Sequence, residues 1–159
     1  TAFAERGLVE QLLGGLTLWD VAPRDLVLEV TETAIVADVR RGAHQLRQLN
    51  AAGVRVSIDD FGVGNASVSY LKEFPATEMK IDQSFVTGML GDLRSLQIVK
   101  AMIGFAHQMG MRVVAEGVED EATLEALGDL NCNLAQGWAI GKPKPAAEFL
   151  AELKDAVPR

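Results

Sequence analysis

Five short, largely apolar runs recur along this chain, and almost every one is preceded and followed by a stretch of helical length. They are Leu26–Val30, Val54–Ile58, Met79–Asp82, Arg112–Glu116 and Asn133–Trp138. Runs this short and this apolar read as buried strands. Joining such strands in parallel requires a crossover of a dozen or more residues, and helical segments of that size lie between most of them. The pattern predicts an α/β fold with a parallel sheet covered by helices, its strands apolar on both faces. The helices are expected over Phe3–Leu18, Asp38–Ala51, Ser67–Phe74, Leu93–Met109, Asp120–Leu130 and Ala146–Ala156. In the fourth of these, Leu96, Val99, Ile103, Ala106 and Met109 form the expected buried stripe. Trp19–Arg24 reads as a connector.

The strand tips hold the polar residues. Near them fall Glu29, Asp59, Asp60, Lys80, Glu116 and Gln136, with Glu32, Asp82 and Glu119 close by. The strand starts hold nothing of comparable interest. Active sites of β/α barrels and of open α/β sheets both sit at the C-terminal ends of strands. The double aspartate Asp59-Asp60 is read as lying in the loop after its strand, followed by glycines at 62 and 64. Taken alone, that stretch also suits a plain surface turn. The assembled acids favour a hard divalent cation, because clustered carboxylates repel one another unless a cation holds them ionised. A metal pair can clamp a phosphodiester and activate a water, and Lys80 among acids would be charged and able to orient that water. The bland alternative makes Glu29 and Glu119 caps or solvated ends and Lys80 a salt-bridge partner. His44 and His107 fall within helices, where packing, solvation or the helix C-terminus accounts for them.

Composition excludes several functions. With 159 residues, 48% of them hydrophobic and 23% charged, the chain has the make-up of one ordinary globular domain, here spanning 1–159. A net charge of −7 gives no footprint for DNA or RNA. No apolar run approaches the roughly 18 residues of a membrane span, the first residues lack a signal-peptide pattern, and the single cysteine, Cys132, allows no internal disulfide. The expected compartment is the cytoplasm. Zinc spacing, a nucleophile elbow and a Walker loop are all lacking. A complete eight-stranded barrel takes about 250 residues. Five units therefore make either an open sheet or about five of the eight strands of a barrel.

Five motifs, in order and spacing, resemble those of EAL domains: Leu28-Glu29-Val30-Thr31-Glu32, Ile58-Asp59-Asp60-Phe61-Gly62, Met79-Lys80-Ile81-Asp82, Ala115-Glu116-Gly117-Val118-Glu119 and Gln136-Gly137-Trp138. Those domains are bacterial phosphodiesterases that open cyclic di-GMP to linear pGpG on a modified, TIM-like β/α barrel. The resemblance implies Glu29, Asp59, Asp60 and Glu116 as metal ligands, with Asp60, Lys80 and Glu116 catalytic. It implies Glu32, Phe61, Gly62, Gln136 and Pro143 as loop or substrate residues. It further implies two magnesium or manganese ions, inhibition by calcium, cyclic di-GMP as ligand, and an upstream sensor or diguanylate cyclase domain.

This sequence departs from the family at Val63, Asn65 and Asn133, where threonine, an aromatic and aspartate are usual, and Trp138 stands for a tyrosine. The family's Glu-Ala-Leu strand and an asparagine ligand belong before the first motif, and no counterpart lies in these residues. The expectation is therefore a chain inactive, or nearly so, by itself, which self-associates to cover open sheet edges. The alternatives are a degenerate module that binds nucleotide or a protein without turnover, and an unrelated metal-dependent barrel enzyme.

Overall fold

The computed structural model describes residues 7–31, 39–63, 71 and 74–156. Helix α1 (Leu8–Leu18) leads through a 3-10 turn at Pro23–Asp25 into strand β1 (Val27–Thr31). Then come α2 (Val39–Ala51), β2 (Arg55–Phe61), β3 (Glu78–Ile81), the single turn α3 (Gln83–Val86), α4 (Leu93–Gln108), β4 (Arg112–Glu116), α5 (Glu121–Asp129), β5 (Leu134–Gln136) and α6 (Ala146–Ala156). The expected helix over Ser67–Phe74 falls mostly outside the described residues, as do Glu32 and Asn65. The five strands form one sheet in chain order, every neighbouring pair parallel. All five C-terminal tips therefore lie along one rim.

Helix ends follow local chemistry. Asp92 caps α4 by accepting from the Arg94 and Ser95 amides at 3.1 Å. Asp120 caps α5 by accepting from Thr123 N at 2.7 Å. Such caps satisfy amides that the first helical turn leaves without partners. Asp82 does the same for α3, through Ser84 N, which gives this strand-tip acid a structural task.

One face of the sheet makes the core. Val30, Val56, Ile58, Met79, Ile81, Val113 and Ala115 pack there against Ala43 and Leu46 of α2, Val99, Ile103 and Ala106 of α4, and Leu127 of α5. A satellite cluster of Val9, Leu49 and Val54 seats α1. The opposite face departs from the expected apolar character. There Val27, Glu29, Arg55, Glu78, Lys80, Arg112 and Val114 line a concavity of about 530 Å³. Strand alternation sends every second side chain to this face, and charges occupy most of those places. Nor are the strand starts bland, because Arg112 Nη2 donates to Glu78 Oε2 at 2.8 Å across β3 and β4. Met109, expected in the α4 stripe, is exposed because the helix has ended before it. Burial pushes the Cys132 thiol up from its ordinary value and keeps it protonated.

Candidate active site

Lys80 sits at the middle of the rim. Its neighbours in sequence, Met79 and Ile81, are fully buried on the helix side, so the lysine is sent to the concave face, where it too is buried. Its ammonium lies 2.8 Å from Glu116 Oε1, 2.9 Å from Asp59 Oδ1 and 3.2 Å from Glu29 Oε1. These acids come from β4, β2 and β1, so three strands hold the lysine in place. Burial alone would lower its pKa, but the close ion pairs with Glu116, Asp59 and Glu29 raise it above the ordinary lysine value. Lys80 is therefore a fixed cation at every physiological pH.

Asp59 and Asp60 would point to opposite faces of a regular strand. They do not, because β2 is irregular here. Ile58 lies opposite Met79 and Phe61 opposite Ile81, so two residues of β2 face the single Lys80 of β3. Asp60 takes up the extra residue with a φ of 54°, in the left-handed region that aspartate tolerates better than most. The consequence is a group of three carboxylates, Asp59, Asp60 and Glu116, whose oxygens lie within 4.8 Å of one another. Both aspartates are thus strand residues, where a loop was expected, and the distortion makes the site. Glu29 is not in this group; it lies on Lys80, half exposed to solvent.

The residues after the double aspartate anchor it. Phe61 stacks on Phe105 of α4, with ring centroids 6.0 Å apart and planes 7° from parallel. Gly62 has a φ of 100°, and a Cβ there would run into Met102 and Phe85. These two residues tie the strand end to α4. Val63 is exposed.

Beside the carboxylates opens a cleft of about 910 Å³, whose lining includes Asp60, Asp82, Glu116 and Glu119 together with Gln136, Trp138, Lys142, Pro143 and Phe149. Gln136 lies opposite Glu116 at the end of β4 and β5. The expected Gln136 and Pro143 thus share a cavity with Asp60 and Glu116. Sequence reasoning passed over one feature, the Lys142 ammonium 5.2 Å above the Trp138 ring. The signal available for it was a tryptophan directly past a strand tip with a lysine four residues on.

All donors in the group are hard oxygens, which suits a divalent cation of the magnesium, manganese or calcium kind. A second observation agrees. Asp59 Oδ1 is buried, and although it lies near Lys80 it accepts no hydrogen bond of good geometry. The four acids Glu29, Asp59, Asp60 and Glu116 face one lysine, an excess of negative charge that a cation would offset. The acidic cluster can hold a metal ion.

A parallel β/α sheet whose C-terminal rim gathers carboxylates around a buried lysine defines a class of β/α folds with a cation-competent site at the strand tips. Within that class the chain belongs to the EAL family: the EAL domain model matches residues 1–143. It is 42% identical over 151 residues to the bifunctional diguanylate cyclase/cyclic di-GMP phosphodiesterase MucR of Pseudomonas aeruginosa, an alignment covering 95% of this chain and 22% of that protein. To the cyclic di-GMP phosphodiesterase PdeB of Shewanella oneidensis it is 35% identical, covering 93% and 17%. Among solved structures, the MucR phosphodiesterase in complex with c-di-GMP superposes with a TM-score of 0.87 at 41% identity, over 92% of this chain and 60% of that one. The EAL domain of Mycobacterium smegmatis DcpA gives 0.92 at 35%, over 99% and 71%. The chain thus spans about a fifth of these two curated relatives, and its fold is the α/β sheet of a TIM-like barrel in part. No described helix is long and apolar enough to cross a membrane.

Proposed function

We propose that this chain, read as a single domain over 1–159, is the metal-and-lysine portion of a cyclic di-GMP phosphodiesterase that yields linear pGpG. The observation that carries the reading is Lys80, held charged by Glu29, Asp59 and Glu116 beside a three-carboxylate group. Asp59, Asp60 and Glu116 would hold magnesium or manganese, with Glu29 joining them at the rim, and calcium would occupy the site without supporting turnover. When bound, the metal supplies Lewis-acid stabilisation of the phosphoryl oxygens and lowers the pKa of a bound water. Lys80 orients that water by donating a hydrogen bond and carries positive charge toward the developing negative charge. Asp60, exposed and lining the cleft, would accept the water's proton. Gln136 and Pro143 face the bound dinucleotide, while Phe61 and Gly62 hold the aspartates in register.

The chain covers 60–71% of the two EAL structures described above, and catalysis is read as needing the remainder of such a domain, with a sensor or cyclase domain upstream. Self-association over the edges of β1 and β5, and a cytoplasmic setting, belong to the same reading. The purified chain should bind cyclic di-GMP in calorimetry when manganese or calcium is present, and lose that binding in a chelator. Turnover with manganese should be slow or nil. Equal affinity for cyclic AMP, or binding indifferent to metal, would overturn the substrate; turnover by a monomer at the rate of a complete domain would overturn the need for further residues.

A further inference from the structure

Three carboxylates meet the Lys80 ammonium at the rim: Glu116 at 2.8 Å, Asp59 at 2.9 Å and Glu29 at 3.2 Å. An ammonium has three N–H donors, so these three acids match its whole capacity. A fourth acid lies just below. Glu78 precedes Lys80 by two positions on β3, and both side chains line the concave face. Residues so placed stand about 6.6 Å apart along a strand, within the combined reach of a lysine and a glutamate. Glu78 is buried, and a buried carboxylate needs a cation or a donor. No ion pair joins it to Lys80, which turns to the rim instead.

The reason lies one strand across. Arg112, directly opposite Glu78 on β4, donates through Nη2 to Glu78 Oε2 at 2.8 Å. The other arginine of this face, Arg55, is held by the Arg24 carbonyl, to which its Nε donates at 3.1 Å. Ser57, opposite Glu78 on β2, is fully buried, and its Oγ makes no hydrogen bond. Arg112 is the group that occupies Glu78.

We propose that Arg112 is a positioning residue for Lys80. By holding Glu78 it takes the competing carboxylate out of play and leaves the ammonium aimed at Asp59 and Glu116. Without that guanidinium, Glu78 would be a buried, unpaired charge, and Lys80 would be drawn down to it. This rests on the phosphodiesterase reading above, and it adds the pair that keeps the water-orienting lysine at the rim.

The test follows the Lys80 ammonium itself, by nitrogen NMR of the chain carrying isotope-labelled lysine, its signal assigned by loss in K80M. R112M should shift that signal, E78Q should leave it in place, and E78Q/R112M should return it to the wild-type position. R112K, which keeps a cation for Glu78, should hold the wild-type signal. With Lys80 withdrawn, R112M should also bind manganese roughly 3- to 30-fold more tightly by calorimetry, the effect of moving a unit charge away by a few ångströms. E78Q/R112M should not. Should R112M fold poorly, R112Q, which keeps a donor for Glu78 without its charge, decides in its place. A signal unmoved by R112M, or a shift that persists when Glu78 is also replaced, would overturn the positioning role. So would similar shifts of opposite sign in E78Q and R112M, the mark of a mere change in local charge. No nucleotide enters these measurements, so such a result leaves the cyclic di-GMP reading standing. A chain that binds manganese but no cyclic di-GMP would overturn that reading and leave the Lys80 signals as described.

Discussion

Replacing Lys80 by methionine should destabilise the chain by about 3 kcal/mol at neutral pH, because removing one partner leaves buried acids uncompensated. The figure is set at the low end of that range because Glu29 is half exposed and can turn to water. Methionine fills similar volume, so packing contributes little to the change. Urea unfolding of both proteins checks the value. Repeating it with manganese should recover part of the loss in the variant, since a bound cation replaces the missing charge and stabilises only the folded state. The pH dependence follows from the direction of the lysine shift. A folded pKa raised above the unfolded value of about 10.4 means that the contribution is complete below that pH and is lost as pH rises through the higher folded value. The difference between wild type and variant should therefore stay flat from about pH 7 to 10 and narrow only in stronger alkali. A difference that shrinks between pH 7 and 9 would mean that Lys80 is not the fixed cation described.

Asp60→Asn and Asp59→Asn should each lower manganese affinity at least a hundredfold. Supporting groups that only touch metal ligands already cost 10–100-fold when removed, so loss of a charged ligand should exceed that. Asparagine is the informative replacement at 60, because it tolerates the left-handed backbone of that position and changes charge alone. Glu119→Gln is the control: Glu119 lines the cleft but stands outside the carboxylate group, and its affinity should stay within about threefold. Calorimetric titration of manganese into the four proteins separates these cases. Equal losses at 59, 60 and 119 would point to general electrostatics, and no loss at 59 or 60 would remove the metal site.

Much of this was legible in the residues. Alternation of short apolar runs with helical segments gave the parallel sheet, and the order of the tips gave the rim, because parallel strands in chain order must end together. The burial of Lys80 could be read from the apolar residues on either side of it. What could not be read has definite causes. The meeting of Asp59 and Asp60 depends on a bulge opposite Lys80, set by register between strands 20 residues apart and marked by no residue type. The Glu78–Arg112 pair joins groups 34 positions apart, beyond any local pattern. Periodicity alone could not tell that one sheet face would carry charge, because strands of three to seven residues offer only a few inward places each. Met109 was misplaced because helical periodicity runs on past the point where the helix stops.

The sheet is built strictly in chain order, and its rim draws on residues from 29 to 136. No stretch between two consecutive strands contains the carboxylate group, since Asp59 and Asp60 leave from β2 and Glu116 from β4, with β3 between them. The cation site thus comes into being only after two non-local strand pairings, β2 with β3 and β3 with β4, whose closure is intrinsically slow. A cation bound there would lengthen the lifetime of the finished fold and leave the time needed to reach it unchanged, because contacts absent from the folding barrier act on escape alone.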